Sequence, residues 1–323
     1  MNGLIRVELA RYRSRQVIVL LLVLAALLAA FVAFESAWDT RPLTKTEIGT
    51  AQARAAEDAG RSDIKADIAS CEKDPTQYLG PGTTVAECKD SLTSATNSYL
   101  PRKPLSLSKT VKGNGIGLAL LVIAILIIAG ASFAGADWTS GAIRNQVVFE
   151  PRRSRLWAAK AIAVAISSGV AAFVILGGFW LSLYLVAAER GVPHGSGPMG
   201  DVGWHLLRVV ALAMGAGVGA YALTMLFRST AATIGVLFAY SIGGEILLYL
   251  LPFDGIGRWS PGNNVFGWLE TRLEFFDPTS HCVQSGSCSG PEHISHLDSG
   301  LYLLVLLAIS CGLSWAAFRR RDI

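Results

Sequence analysis

Six long stretches of the chain carry almost no charge, and they limit its possible folds more than any other feature. Each is about as long as the ~20 residues with which a helix crosses the roughly 30 Å hydrocarbon core of a bilayer. Lipid offers no hydrogen-bond partners to the backbone, so each stretch is predicted to be helical. The stretches lie at positions 16–34, 113–136, 161–188, 209–227, 229–253 and 299–318.

The composition agrees with a membrane environment. Of the 323 residues, 52% are hydrophobic and 16% are charged, whereas a soluble domain carries about 25% charged residues. The sequence therefore predicts an all-α membrane protein with six transmembrane helices. A net charge of +4 that is confined to the connections gives no basic surface for nucleic acid.

The distribution of Lys and Arg beside the spans predicts that both termini are cytoplasmic, in the cell membrane, because positive residues collect on that side. Basic residues precede the first span, follow the second and the fourth, and end the chain. The first span could be mistaken for a signal peptide, but its apolar run exceeds the 7–15 residues of a signal core. The predicted organisation is a cytoplasmic connecting helix at 1–16, spans at 17–34, 113–136, 158–188, 203–227, 230–253 and 299–318, an extracytoplasmic helical domain at 35–112, a cytoplasmic coupling loop at 137–157 and an extracytoplasmic loop with short helices at 254–298.

The first extracytoplasmic segment is predicted to form a helical hairpin. Positions 44–70 have a helical composition, a Gly/Pro turn follows, and a second helix is expected at 85–99. Cys71 and Cys88 flank the turn, and thiols oxidise outside the cell membrane. A disulfide closing a loop of this size contributes about 3 kcal/mol, so we expect the pair Cys71–Cys88.

The second extracytoplasmic segment contains Cys282 and Cys288, which are close enough for a local disulfide. Four cysteines allow three pairings, and the local one is our expectation. Zinc is the alternative, because His281, His293 and His296 lie nearby, but the spacing matches no strong zinc signature. No metal site is predicted. The aromatic residues around 259–276 suit short helices at the outer leaflet or a packed external loop.

Two features inside the spans predict packing between helices. Glu245 is the one acid within a span, and Arg208 lies at a similar depth, so the two are predicted to form an ion pair. This pair would either fasten two helices or belong to a transport path. The small residues at 215–219 permit close approach of another helix, more readily within the chain than across a dimer. No catalytic residues are predicted.

The connection between the second and third spans predicts a short docking helix. Thr139 or Ser140 can cap it, positions 141–149 can form it, and Pro151 ends it. The apolar side chains of Val148 and Phe149 lie among exposed arginines at 144, 152 and 155. A solvated positive loop would need the arginines but neither the apolar residues nor the proline, so we expect a cytoplasmic protein partner.

At this loop the chain resembles the permeases of type-2 ABC exporters. The matching residues are Ser140-Gly141, Pro151, Ser154-Arg155 and Lys160, with Asp137 where the family usually has an acidic residue. The resemblance implies a six-span transport subunit whose coupling helix contacts its partner through Ser140, Gly141, Arg144, Val148, Phe149, Pro151, Arg152 and Arg155.

The same resemblance implies the partners. Separate ABC ATPase subunits would bind ATP and Mg²⁺, and a second permease copy or a homologue would complete the path within the membrane lipid. The chain would hold no cofactor, and no G-x-x-x-x-G-K-[ST] phosphate loop occurs in it. The main alternative is a membrane scaffold or sensor outside the ABC class, whose extracytoplasmic hairpin binds a ligand or a partner. An intramembrane enzyme is the weaker alternative.

Overall fold

A computed structural model describes residues 1–74, 98–250, 256–270, 272–275 and 292–320. Six of its helices are long and apolar enough to cross a membrane. The chain is therefore a multi-pass membrane protein, as the uncharged stretches predict. It divides into two compact units, of which the larger contains the described parts of Met1–Ala33, Leu107–Leu185 and Pro193–Ile323, and the smaller contains those of Phe34–Ser106 and Val186–Val192.

The chain starts with the short helix α1 (Asn2–Ser14) and the first long apolar helix, α2 (Gln16–Asp39). The five other apolar helices follow α3 and α4, and two of them contain a π-helical turn. The described elements, in chain order, are α3 (Lys45–Gly60), α4 (Ser62–Lys73), α5 (Leu107–Thr110), a π-turn (Val111–Gly115), α6 (Ile116–Thr139), α7 (Ala142–Phe149), α8 (Arg153–Glu189), α9 (Ser196–Phe227), α10 (Thr230–Phe238), a π-turn (Ala239–Gly243), α11 (Gly244–Leu250), a 3₁₀ turn (Ile256–Trp259), α12 (Pro261–Leu269), β1 (Arg272–Phe275), β2 (Glu292–Ser295) and α13 (His296–Arg320).

Several helices extend beyond the predicted spans. The helix α8 starts at Arg153 rather than at 158, and α9 starts at Ser196 rather than at 203. The stretch from Ser196 to 203 is helical although it is rich in Gly and Pro, which are poor helix formers. Pro198 lies in the first turn of α9, where the missing N–H breaks no helical hydrogen bond.

The helices α6 and α9 are in close contact at two glycines. A Cβ atom at Gly130 of α6 would lie 2.5 Å from the carbonyl oxygen of Gly217 in α9. A Cβ atom at Gly217 would lie 2.5 Å from the Ser168 hydroxyl of α8. The small-residue patch at 215–219 thus packs within the chain, where it brings three membrane-crossing helices together.

Replacing Gly130 with alanine should separate α6 from α9, because the new methyl group would overlap a backbone oxygen that cannot rotate away. We expect a melting temperature several degrees lower in detergent, and a free energy of unfolding that is lower by about 1–3 kcal/mol. The control is Gly117→Ala in the same helix, where nothing lies within 4 Å of the new Cβ. Equal melting temperatures for the two variants would contradict this account of the contact.

The smaller unit contains α3 and α4, which the sequence predicts as one helix over 44–70. The helix is interrupted because Arg61, between α3 and α4, has an extended backbone. Cys71 is buried in α4. Its predicted partner Cys88 and most of the predicted helix at 85–99 lie outside the described residues, so the hairpin and its disulfide stay predictions.

Three hydrogen bonds to one carboxylate oxygen fasten the start of α3, one of them from the Thr44 hydroxyl at 3.0 Å. The backbone N–H of Thr44 donates to Glu47 Oε2 at 2.9 Å, and Arg102 donates to the same oxygen at 2.7 Å. The Thr44 hydroxyl in turn accepts from the Glu47 N–H, which completes a capping box. The Thr44 N–H first, and then Arg102, hold the pKa of Glu47 below its usual value.

Acid should loosen the start of α3. A carboxylate with a lowered pKa in the folded state stabilises that state above its unfolded pKa, and the contribution is lost as pH falls through the folded pKa. Amide hydrogen exchange at residues 45–50 should therefore accelerate, relative to unfolded peptide at the same pH, below about pH 4.5. Glu47→Gln should remove this pH dependence and the exposed-site control Glu57→Gln should keep it; the opposite pattern would refute the assignment.

The described residues before α13 contact one another and α9. The indole N–H of Trp268 in α12 donates to the Arg208 carbonyl of α9 at 2.9 Å. The strands β1 and β2 pair antiparallel, with Leu273 opposite Ile294. The described residues here contain a short helix, as the sequence predicts, and also a two-stranded ribbon, so the chain is mainly rather than wholly helical. Cys282 and Cys288 lie outside the described residues.

Candidate functional site: a buried charge cluster beside a short exposed helix

Five charged side chains meet where α1, α6 and α8 converge. We call them the charge cluster: Glu8 and Arg11 of α1, Arg15 directly after α1, Asp137 of α6 and Lys160 of α8. Asp137 lies near the last residue of one membrane-crossing helix and Lys160 follows in the next. The cluster therefore joins the N-terminal helix to two spans at the end of the bundle where α7 also lies, which we call the α7 end.

Lys160 is at the centre of the cluster. Its ammonium group donates to Asp137 Oδ2 at 2.5 Å and to Glu8 Oε2 at 2.9 Å. The Lys160 side chain is 0% exposed, and the two carboxylates are almost as deeply buried. A buried ammonium group persists only where carboxylates compensate its charge, and here one carboxylate comes from α1 and the other from α6.

The two arginines of the cluster lie nearer its edge. Arg11 donates to Glu8 at 3.2 Å and to Asp137 at 3.1 Å, and Arg15 donates to the same oxygen of Asp137. Two carboxylates and three cations leave one excess positive charge. The aromatic ring of Phe133 faces this excess, with Lys160 Nζ 5.1 Å and the Arg15 guanidinium 5.2 Å from its centroid.

A hydrophobic core surrounds the cluster and includes the first turns of α7. Tyr12 packs against Phe133 with ring centroids 5.2 Å apart. Ile143 of α7 is buried in this same core, together with Leu156 and Tyr221. The core thus holds α7 against the helices that carry the charge cluster.

The helix α7 begins in a different way from the prediction. Gly141 precedes its first residue with φ 68°, a left-handed conformation that glycine adopts without strain. The hydroxyl of Ser140 donates back to the carbonyl of Ala136 at 2.6 Å, and Thr139 likewise bonds to the Ala136 carbonyl. Neither hydroxyl caps α7, and the turn depends on Gly141.

The far end of α7 exposes apolar side chains. Val148 is 79% exposed and Phe149 is 89% exposed. Of the other residues predicted to contact a partner, Arg144, Pro151, Arg152 and Arg155 are also exposed. An exposed apolar pair and three exposed arginines thus lie on α7 and within the six residues that follow it, and we call them the α7 surface.

The predicted ion pair between Arg208 and Glu245 is wrong: the ion pairs of the described residues do not include it. The Glu245 carboxylate instead accepts from the Ser260 hydroxyl at 2.7 Å and from the Gly262 N–H at 2.6 Å. Ser260 caps α12, so Glu245 lies at the positive N-terminus of that helix. Similar depth along the two spans suggested the pair, but the Ser260 hydroxyl and the Gly262 N–H satisfy the carboxylate instead.

Within the described ranges, no group of three or more His, Cys, Asp or Glu side chains could hold a metal ion. Most of the residues of the zinc alternative lie outside those ranges. Cys311 is a free, half-buried thiol of α13.

Sequence reasoning missed the charge cluster. It interpreted the arginines before α2 and Lys160 as markers of orientation, and it otherwise used Asp137 and Lys160 as landmarks of a resemblance. The signal was present in Glu8 and Arg11, which lie three residues apart on one face of α1, with Arg15 at the end of that helix.

No protein-family model matches the chain, and no curated protein matches it.

Removing only the ammonium group of Lys160 should destabilise the protein more than removing this ammonium group and one carboxylate partner at once. Lys160→Met leaves the Asp137 and Glu8 carboxylates buried without the ammonium group. We expect this to lower the free energy of unfolding by about 3–5 kcal/mol. Adding Asp137→Leu removes one of these carboxylates and leaves Glu8 with Arg11, so the double variant should recover part of the loss.

Thermal unfolding in detergent measures both effects. The control is Lys109→Met, since that lysine is exposed and should change the melting temperature little. A double variant less stable than Lys160→Met would show that the cluster is not held together by charge compensation.

Proposed function

We propose that this chain is the membrane-spanning permease subunit of an ABC exporter. It would move a substrate out of the cytoplasm with energy from ATP that separate ATPase subunits hydrolyse. The observation that carries the proposal is the α7 surface, an exposed apolar pair on a short helix that a buried core holds against the spans.

The exposed pair favours a protein partner on this surface. Phe149 and Val148 lie at the last residues of α7, and arginines border them on both sides in the sequence. Lipid would cover apolar side chains along a span, but these two lie beyond the end of α6, in a connection rich in arginine. A partner with an apolar groove and an acidic rim fits this chemistry.

The charge cluster supplies a physical route from that partner to the membrane. The helix α7 connects α6 to α8, and the cluster ties both of these helices to α1. A displacement of α7 would reach α6, α8 and α1 together, because separating them would expose buried charges. Such coupling requires that the partner contact α7 differently in its ATP-bound and ATP-free states.

The uneven coverage of the spans supports a second permease copy, or a homologue, as a partner. In the most apolar windows of the six spans, 61% of the residues are buried in α5–α6 but 17% in α2 and 6% in α10–α11. The helices α2, α10–α11 and α13, the last with 11% of its window buried, thus leave the most surface for another chain or for lipid. We place the export path along this surface, with α6 as its third wall.

The partner subunits would carry the ATP and Mg²⁺ sites, since this sequence has no phosphate loop. On this proposal the α7 end and both chain termini face the cytoplasm, and the segment that contains α3 and α4 lies outside the cell membrane. The positive residues beside the spans support this orientation.

Co-purification tests the proposal. The tagged chain is extracted from its native membrane in mild detergent, as wild type and as the Phe149→Ala, Arg155→Ala double variant. We expect an ATPase subunit with the wild type and at least about tenfold less of it with the variant, because the two changes remove an exposed aromatic ring and a charge of the α7 surface.

The matched control changes one Phe and one Arg elsewhere at the α7 end, as Phe227→Ala, Arg320→Ala. Both residues are exposed and neither belongs to α7. The control should retain the ATPase. Wild-type preparations free of any ATPase would refute the permease assignment and favour the scaffold, whereas equal loss in the control would refute the role of α7.

A further inference from the structure

The helix α1 has a second charged face, opposite the charge cluster. Glu8, Arg11 and Arg15 point into the cluster. Arg6 and Arg13, seven residues apart, lie together on the other face at 3.6 residues per turn. Within the described part of the chain, neither of these two side chains forms an ion pair or a side-chain hydrogen bond, and both are exposed.

This second face borders an apolar groove between α1, α2 and α8. The groove has a volume of about 730 Å³. Val19 and Val23 of α2 and Val170 and Val174 of α8 form its walls, and Arg6 and Arg13 lie at its α1 end. None of the described residues that line it is acidic, so the two arginines have no internal counter-charge there.

The groove reaches from the level of α1 towards the middle of a bilayer. Val170 lies ten residues beyond Lys160 along α8, and Ala26, another lining residue, lies ten residues beyond the start of α2. Ten helical residues rise about 15 Å, which is about half the thickness of the hydrocarbon core. An occupant with an apolar tail would thus extend through one leaflet.

We propose that this groove binds one anionic phospholipid from the leaflet at the α7 end. The phosphate would lie between the guanidinium groups of Arg6 and Arg13, and one acyl chain would lie against α2 and α8. This assignment does not rest on the proposed transport function.

Charge complementarity favours this occupant over the others. Arginine pairs bind phosphate oxygens through several N–H donors, and basic pockets between transmembrane helices are typical sites for anionic lipid headgroups. A free phosphate ion would leave the apolar walls uncovered. A second copy of the chain would cover the walls but would also have to bring an acid to each arginine.

The lipid would complete the attachment of α1. The charge cluster fastens one face of this helix to α6 and α8, and the lipid would fasten the other face to α2 and α8. The position of α1 would then respond to the anionic lipid content of the membrane.

Native mass spectrometry of the full chain, released from nanodiscs of phosphatidylcholine and phosphatidylglycerol in equal amounts, tests the proposal. We expect the wild type to retain one phosphatidylglycerol molecule. Arg6→Gln, Arg13→Gln should retain it about 30-fold less, because each arginine contributes about fivefold to binding at an anionic surface. The charge-matched control Arg152→Gln, Arg155→Gln removes two exposed arginines at the same end, outside the groove, and should retain the lipid.

A second variant, Val170→Trp, tests the groove itself. It keeps both arginines and places an indole in the space for the acyl chain, so it should also lose the lipid. Equal retention of phosphatidylglycerol by the Arg6→Gln, Arg13→Gln variant and by its control would overturn the proposal. Loss of the lipid in the arginine variant with full retention in Val170→Trp would also overturn it, since only the headgroup would then be bound. A Val170→Trp variant that keeps the lipid but no longer forms a dimer would show that a second copy of the chain occupies the groove.

Discussion

The ammonium group of Lys160 determines much of the structure at the α7 end. It is buried between carboxylates of α1 and α6, and a buried charge without such partners would cost several kcal/mol. This requirement fixes how α1 lies against α6 and α8, and thereby which face of α1 points outward. The short helix α7 is placed by the same core, through Ile143.

Each surface at this end thus depends on what lies beneath it. The side chains of Val148 and Phe149 are exposed because Ile143 anchors the other side of α7 in the core. Arg6 and Arg13 face the apolar groove because the remaining charges of α1 are engaged in the charge cluster. A change within the cluster would therefore alter both surfaces.

The sequence predicts the six helices well, because an uncharged run of this length has few other folds in lipid. It predicts the exposed residues of α7 for a related reason. The segment between Gly141 and Pro151 is too short to cross the membrane, so it forms a short helix at the end of the bundle. It does not predict the partner of Glu245. The comparison of depths covered two spans only, whereas the groups that bind Glu245 lie at the start of α12, outside both. The charge cluster was missed because charges at the ends of spans are common, and only the fold shows which of them are buried.

The uneven coverage of the spans has a consequence for what stability means in this protein. The helices α2, α10–α11 and α13 bury little of their surface within the chain, so lipid, detergent or another subunit must cover the rest. Whatever binds the folded form there shifts the folding equilibrium by mass action. A melting temperature of this protein is thus a joint property of the chain and its surroundings, and it has meaning only when their composition and concentration are stated with it.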